Sequence, residues 1–245
     1  MNSKACRNIL PLFWRKHRCH VIYNSIPENR LITTKSAAEV REALKIPADT
    51  FVLGCVSNNN PKKGFDILLK AYALLRKDLP QSCLVLVGAD KELWQDLCHG
   101  LGIEEDVRIV GRPEHVADYL QIFDLYVFGS SFIESQPNVL IEAMSFDLPI
   151  IASAVGEVQE MIPDKFLFSV NDLDALCEKI LEMHGSPAML QASSGNSVGM
   201  KHLFSTEARV QSVLRVYESL IDEKSKPKKR FNFKSRSLFS SALFK

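Results

Sequence analysis

Two loops of this 245-residue chain place charged side chains at the start of a helical pattern, an arrangement suited to binding anions. The first holds Asn58, Lys62, Lys63 and Gly64 and runs directly into an apolar-periodic segment from Phe65. A lysine at such an entry can pair with a phosphate, helped by backbone N–H groups and the positive end of the helix. The same turn also fits an ordinary solvated helix entry. The second loop reads Glu134, Ser135, Gln136, Pro137, Asn138 and Val139, with Glu142 beyond it. Proline is welcome in a first helical turn, so a helix is predicted from Asn138 to Phe146. Asn138 and Glu142 then share one face, and Glu134 stays in the loop ahead of the first turn. The N–H groups of Asn138 and Val139 lack intrahelical partners and offer an anion site, while the Glu142 carboxylate can accept hydrogen bonds from sugar hydroxyls. A phosphate and a diol side by side are what a nucleotide sugar presents. The plainer alternative is a surface acid at Glu134 and a capping or locally paired acid at Glu142.

These loops need a frame that brings their ends together. From Phe51 onward, short β-rich runs alternate with longer periodic segments, the pattern of a parallel sheet covered by helices. Strands are predicted at Phe51–Ser57, Cys83–Gly88, Val107–Gly111, Leu125–Gly129 and Pro149–Ser153, all near-continuously apolar as in strands buried on both faces. Phe65, Leu68, Leu69, Tyr72 and Leu75 form one helical stripe. Further helices are predicted over Lys91–Leu101 and Glu114–Ile122, around Leu173–Leu181, and around Val210–Ile221. Gly185, Pro187 and Gly195 punctuate the stretch between the last two. The expected fold class is α/β, a Rossmann-like parallel sheet with helices on both faces. Ligands of such sheets bind beyond the carboxyl ends of the strands, where both loops fall.

Composition narrows the class further. A chain with 46% hydrophobic residues can bury a proper core. No apolar run approaches the roughly 20 residues that span a bilayer, and the first residues lack a signal peptide's apolar core. The expectation is a cytoplasmic protein, optionally peripheral on the inner membrane face. The six cysteines contain no C-x-x-C pair and are expected to be free thiols. Missing G-x-G-x-x-G and Walker lysine motifs argue against dinucleotide oxidoreductases and P-loop ATPases. The spacing of His17, Cys19 and His20 matches no standard zinc site, and no metal is expected. Both ends are basic, with five Lys/Arg and no acid in residues 1–20 and eight and no acid in residues 224–245, around an acidic body. Aromatic residues interleave with the charges of the C-terminal stretch, which suits an anionic membrane surface; a solvated, disordered tail is the equal alternative. Nucleic acid is not expected as a partner.

The run from Glu134 to Glu142, followed by Ala143, Met144 and then Leu148–Ser153, resembles the signature of retaining glycosyltransferase family four. Lys63–Leu69 with Ala71, Leu84–Gly88, Val107–Gly111, and Ala154–Glu157 with Glu160 follow in the family's order and spacing. The resemblance covers about Tyr23 to Leu220 and implies the C-terminal, donor-binding half of a GT-B fold. By that likeness Lys63 neutralises the donor diphosphate, Asn138 and Val139 hold its distal phosphate, and Glu142 binds the ribose hydroxyls. Glu134 meets the transferred sugar near its reacting carbon, so Glu134 and Lys63 are the implied catalytic residues. The backbone around Val110, Gly111 and Arg112 touches the base. The implied reaction is transfer with retention from a UDP-, GDP- or ADP-sugar to a glycan or lipid-linked acceptor, in polysaccharide or glycolipid biosynthesis, without a cofactor.

Two departures qualify the likeness. Asn58, expected among the donor contacts, stands where the family usually has an arginine, and asparagine brings no charge to a diphosphate. Family members also place an acceptor-binding domain ahead of a segment like Val21–Pro27. Residues 1–22 are therefore expected to be a linker remnant, 23–222 the nucleotide-sugar-binding domain and 223–245 the tail, with the N-terminal half as a separate partner. The alternative is a non-catalytic module that only binds a nucleotide sugar.

Overall fold

A computed structural model of the chain describes Asn2, Arg7, Asn8 and residues 19–132 and 134–225. Six strands, β1 (Phe51–Val56), β2 (Ser82–Val87), β3 (Val107–Val110), β4 (Leu125–Phe128), β5 (Ile150–Ser153) and β6 (Leu167–Phe168), form one sheet in the order β3-β2-β1-β4-β5-β6. Every pairing is parallel. Every residue of β2, β4 and β5 is buried, which explains why these strands read as unbroken apolar runs rather than as an alternation.

Nine helices flank the sheet among the described residues: α1 (Ala37–Ala43), α2 (Phe65–Leu75), α3 (Lys91–Leu101), α4 (Ala117–Leu120), α5 (Asn138–Ser145), α6 (Val158–Met161), α7 (Leu173–His184), α8 (Pro187–Met200) and α9 (Thr206–Ser225). The stripe expected on α2 is its buried face, with Phe65, Leu68, Leu69, Tyr72 and Leu75 all in the core. The strand order reverses at β1. The connection after β1 leads to β2 on one side, whereas β4 joins from the other, and that reversal opens a crevice between the loops leaving β1 and β4.

Four expectations change. The segment over Glu114–Ile122 is helical only at Ala117–Leu120, because tight bonds from Ile122 N to Tyr119 O and from Phe123 N to Leu120 O close it early. The two-residue strand β6 is too short to leave a pattern. The apolar residues expected to form a stripe on the last helix, Val210, Val213, Leu214, Tyr217, Leu220 and Ile221, lie on α9, but all except the half-buried Val213 are exposed. That helix runs to Ser225, past the expected domain limit; the rest of the basic tail, and most of residues 1–22, lie outside the described residues. Among the described residues Cys55, Cys83, Cys98 and Cys177 are free thiols, and no helix is long and apolar enough to cross a membrane.

The fourth change is α8, which the glycines and serines of its sequence hide. Ser186 caps its start by accepting from Met189 N, with Pro187 in the first turn. Its fully buried positions are the serines Ser193 and Ser197, with Met189, Leu190, Ala192 and Met200 packed against the core beside them. Ser193 Oγ accepts from Ile150 N at 2.8 Å and reaches Ile150 O at 3.0 Å, and Ser197 Oγ donates to Leu148 O at 2.7 Å. These hydroxyls satisfy the buried backbone where β5 begins, which a leucine stripe would leave unpaired. Ser193→Ala is expected to cost about 1–3 kcal/mol by orphaning the Ile150 amide; urea unfolding with an unchanged slope checks it, and an unchanged midpoint would refute this role for α8.

Candidate functional site

The turn after β1 is built by side chains that fold back on their own backbone. Asn58 Oδ1 accepts from Asn60 N at 3.1 Å, and Asn60 Oδ1 accepts from Lys62 N at 3.0 Å, which caps a short 3-10 turn over Pro61–Lys63. Gly64 follows at φ +84°, and a Cβ there would lie 2.1 Å from Gly129 O. Only glycine permits that conformation and that approach, so the β1 turn presses against the end of β4. Ser131 N then donates to Lys62 O at 2.8 Å and joins the two loops.

Across this junction Lys63 Nζ meets Glu134 Oε1 at 2.5 Å, with the two side chains 27% and 14% exposed. Ser130 Oγ donates to the same oxygen at 2.8 Å. The backbone of Glu134 is fixed as well. Its carbonyl accepts from Glu157 N at 3.0 Å and lies so close to Gly156, at φ +49°, that a Cβ there would come within 2.1 Å of it.

Helix α5 starts behind Pro137, and Leu140 N to Pro137 O at 3.1 Å is the first bond of its opening turn. The amides of Asn138 and Val139 therefore sit at the open, positive end of the helix. Asn24 braces this start: its N donates to Gln136 Oε1 at 2.6 Å, and its Nδ2 donates to Gln136 O at 3.3 Å and Asn138 Oδ1 at 3.2 Å. One turn on, Glu142 is only 2% exposed. Burial pushes its carboxyl above the usual carboxylate range, against the opposing pull of Arg30, whose Nη2 lies 2.8 Å from Oε1. That contact is an ion pair and not an aligned hydrogen bond, so Oε1 is buried with its hydrogen-bonding capacity unused.

A cleft of about 530 Å³ at the crevice gathers Asn58, Lys63, Arg112, Glu134, Asn138, Val139 and Glu142. Val110 and Gly111 are not among its lining residues. Their carbonyls are turned into the sheet end, where both accept from Gly88 N at 2.9 Å, so of that trio only Arg112 borders the cleft. Gln136 lines it from within the Glu134–Glu142 run, and Arg30 and Asn24 line it without having been singled out, because they belong to no charged or spaced pattern in the sequence. A larger cleft of about 620 Å³ along β3 holds none of the expected site residues. Its Arg108 is already committed, donating to Leu44 O at 2.6 Å and Glu105 O at 2.7 Å. Among the described residues no cluster of three or more His, Cys, Asp or Glu could hold a metal ion.

A six-stranded parallel sheet of this order, covered by helices, is the Rossmann-like α/β architecture of GT-B glycosyltransferases. Residues 36–196 match the model of the family described as glycosyl transferases group 1, and the chain belongs to that family. It is 28% identical over 221 residues to D-inositol 3-phosphate glycosyltransferase 1 of Catenulispora acidiphila, covering 84% of this chain and 52% of that protein. It is 29% identical over 184 residues to the lipopolysaccharide core biosynthesis glycosyltransferase LpsD of Rhizobium meliloti, covering 73% and 52%. The chain thus spans about half the length of these curated relatives. Among solved structures, Anabaena Alr3699/HepE in complex with UDP and glucose superimposes with a TM-score of 0.74 at 24% identity, covering 90% of this chain and 62% of that one, a likeness of fold.

The raised carboxyl of Glu142 makes a prediction with a definite sign. A carboxyl whose pKa rises on folding lowers native stability as pH climbs through the interval between its unfolded and folded values, and the deficit persists above it. Glu142→Gln is therefore expected to raise the thermal midpoint at pH 7 and to lose that advantage below about pH 4. Thermal scans at the two pH values check it; a lower midpoint at pH 7 would contradict it.

Proposed function

We propose that the 530 Å³ cleft binds a nucleoside diphosphate sugar and that the chain carries the donor half of a glycosyl transfer with retention. The observation that carries this reading is the presence, in one cleft, of the Lys63–Glu134 pair, the open start of α5 and the buried acceptor oxygen of Glu142. Lys63 and the amides of Asn138 and Val139 take the diphosphate, Glu142 takes the ribose hydroxyls, and Glu134 meets the sugar beside its reacting carbon. Arg112 borders the base. The bond from that carbon to the diphosphate breaks, and stabilising the departing charge is this domain's contribution to catalysis. The name of LpsD, a lipopolysaccharide core enzyme, and the UDP and glucose in the HepE structure support a glycan or lipid-linked acceptor and a sugar-nucleotide donor. A lipid-linked acceptor would place the reaction at a membrane surface, where the basic residues 224–245 favour anionic lipid.

Asn58 favours a second reading, in which the chain binds the donor and does not transfer the sugar. Its side-chain oxygen is spent on Asn60 N, and it supplies no charge where a second cation would help the diphosphate leave. Calorimetric titration of UDP-glucose, GDP-mannose and ADP-glucose into the wild type, Glu142→Ala and Lys63→Ala tests the site. At least one donor is expected to bind, with each substitution weakening it on the order of tenfold or more. If no donor binds, or if Glu142→Ala binds as well as the wild type, the cleft is not the donor site. Free nucleoside diphosphate accumulating when an acceptor and an acceptor-binding domain are supplied would favour transfer; tight binding with no release would favour the second reading.

A further inference from the structure

Both groups that hold Glu134 converge on a single oxygen. Lys63 Nζ and Ser130 Oγ reach Oε1 at 2.5 and 2.8 Å, while Oε2 has no hydrogen bond among the described residues. One carboxylate oxygen is clamped and the other is left free with its lone pairs. The two clamps differ in what a ligand does to them. A diphosphate entering the cleft competes with Oε1 for the Lys63 ammonium, because phosphate oxygens are strong acceptors for a lysine. Nothing about a donor competes for Ser130 in the same way.

Ser130 has no exposed surface, and its backbone carbonyl accepts from Ser153 Oγ at 2.6 Å. It lies two residues past the end of β4 and is tied through that carbonyl to Ser153, the last residue of β5. Its hydroxyl has one proton to give. The Glu134 oxygen at 2.8 Å is the nearest acceptor, ahead of Lys62 O at 3.3 Å and Phe132 O at 3.5 Å.

We infer that Ser130 is a positioning residue for Glu134: when the donor diphosphate draws Lys63 away, the Ser130 hydroxyl keeps Oε1 in place so that Oε2 stays aimed at the transferred sugar. The inference rests on the reading of Glu134 as the sugar contact. It goes beyond that reading by assigning the orientation of the carboxylate to a buried hydroxyl four residues upstream. A charge-assisted bond in a water-poor site is strong enough to select one rotamer of a flexible acid.

The test uses the full chain with Ser130→Ala, a substitution that removes only the hydroxyl oxygen. Affinities for UDP and UDP-glucose are measured by calorimetry, with GDP and GDP-mannose or ADP and ADP-glucose used instead if one of those pairs is the one the wild type binds. Side-chain couplings of Glu134, read by NMR on selectively labelled protein with and without the nucleotide, report its rotamer directly. The expected result is that UDP-glucose weakens on the order of tenfold while UDP keeps its affinity, and that Glu134 averages between rotamers in the nucleotide complex of the variant only. Equal weakening of nucleotide and nucleotide sugar would mean a merely structural role and would overturn the inference, as would unchanged affinities with an unchanged rotamer. If the wild type binds no nucleotide sugar, the donor-site reading fails instead. The rotamer of Glu134 in Ser130→Ala, with inorganic pyrophosphate added at high concentration to compete for Lys63, then decides the Ser130 inference by itself: averaging supports it, and a single retained rotamer overturns it.

Discussion

β1 and β4 lie side by side, paired at Leu53 with Leu125 and at Gly54 with Tyr126, and the loops leaving their carboxyl ends turn toward each other instead of toward the next strand. Every chemical feature of the cleft depends on how closely those two loops can meet. The limit is set by backbone against backbone: Gly64 packs on Gly129 with no room for a Cβ, and Ser131 N reaches Lys62 O. A side chain at position 64 would hold the loops apart by more than the reach of a hydrogen bond. Lys63, the residue before that glycine, would then no longer sit over Glu134. The parallel sheet thus does more than provide a core, because its order brings together a cation from one loop and a carboxylate from another 71 residues later.

The electrostatics of the cleft follow from the same closeness. Each of its two inward carboxylates has a cation, Lys63 for Glu134 and Arg30 for Glu142, and in each case the cation is the more exposed partner. Partly buried pairs of this kind gain little net stability, because desolvation offsets much of the Coulomb attraction. They are consequently exchangeable. A ligand with phosphate oxygens can take over a cation, and one with hydroxyl groups can take over a carboxylate. A ligand that carries both, a few bonds apart, can replace both halves at once and leave no buried charge unpaired. A simple phosphate or a free sugar would strand one partner of each pair it enters, at a cost that grows with burial and is greatest at Glu142. On the proposed reading this is a physical reason for the cleft to prefer a nucleoside diphosphate group, which carries both, over a simple phosphate or a free sugar.

How far the sequence disclosed this arrangement depended on whether local pattern and tertiary contact agreed. The strands β1 to β5 and helices α2, α3 and α5 were legible because burial on the sheet imposes apolar runs and stripes that propensity reinforces. The Glu134–Glu142 spacing and the lysine turn stood out through their resemblance to a family signature, since by type alone these residues also fit a solvated helix entry and locally paired acids. Helix α8 was not legible, since its buried face speaks through Ser193 and Ser197, and serine reads as a turn former unless the backbone it serves is known. The placement of Arg30 beside Glu142 was equally hidden: 112 residues separate them, and no periodicity links them. Val110 and Gly111, which the resemblance sets beside the base, turn their carbonyls to the amide of Gly88, a contact that no pattern in the sequence announces.

Glu142 shows why the remaining information lies in exceptions to packing rules. A leucine at that helix position, on the same face as its buried neighbours, would satisfy the core at no desolvation cost. A carboxylate there is shielded from water, held above its usual pKa by burial, partnered by a half-exposed arginine that is misaligned for hydrogen bonding, and left with an unused acceptor. None of these features helps the domain fold. On the proposed reading an incoming hydrogen-bond donor completes them, reaching the first turn of α5 from the crevice and travelling with a negative charge for Lys63 and the open amides of Asn138 and Val139.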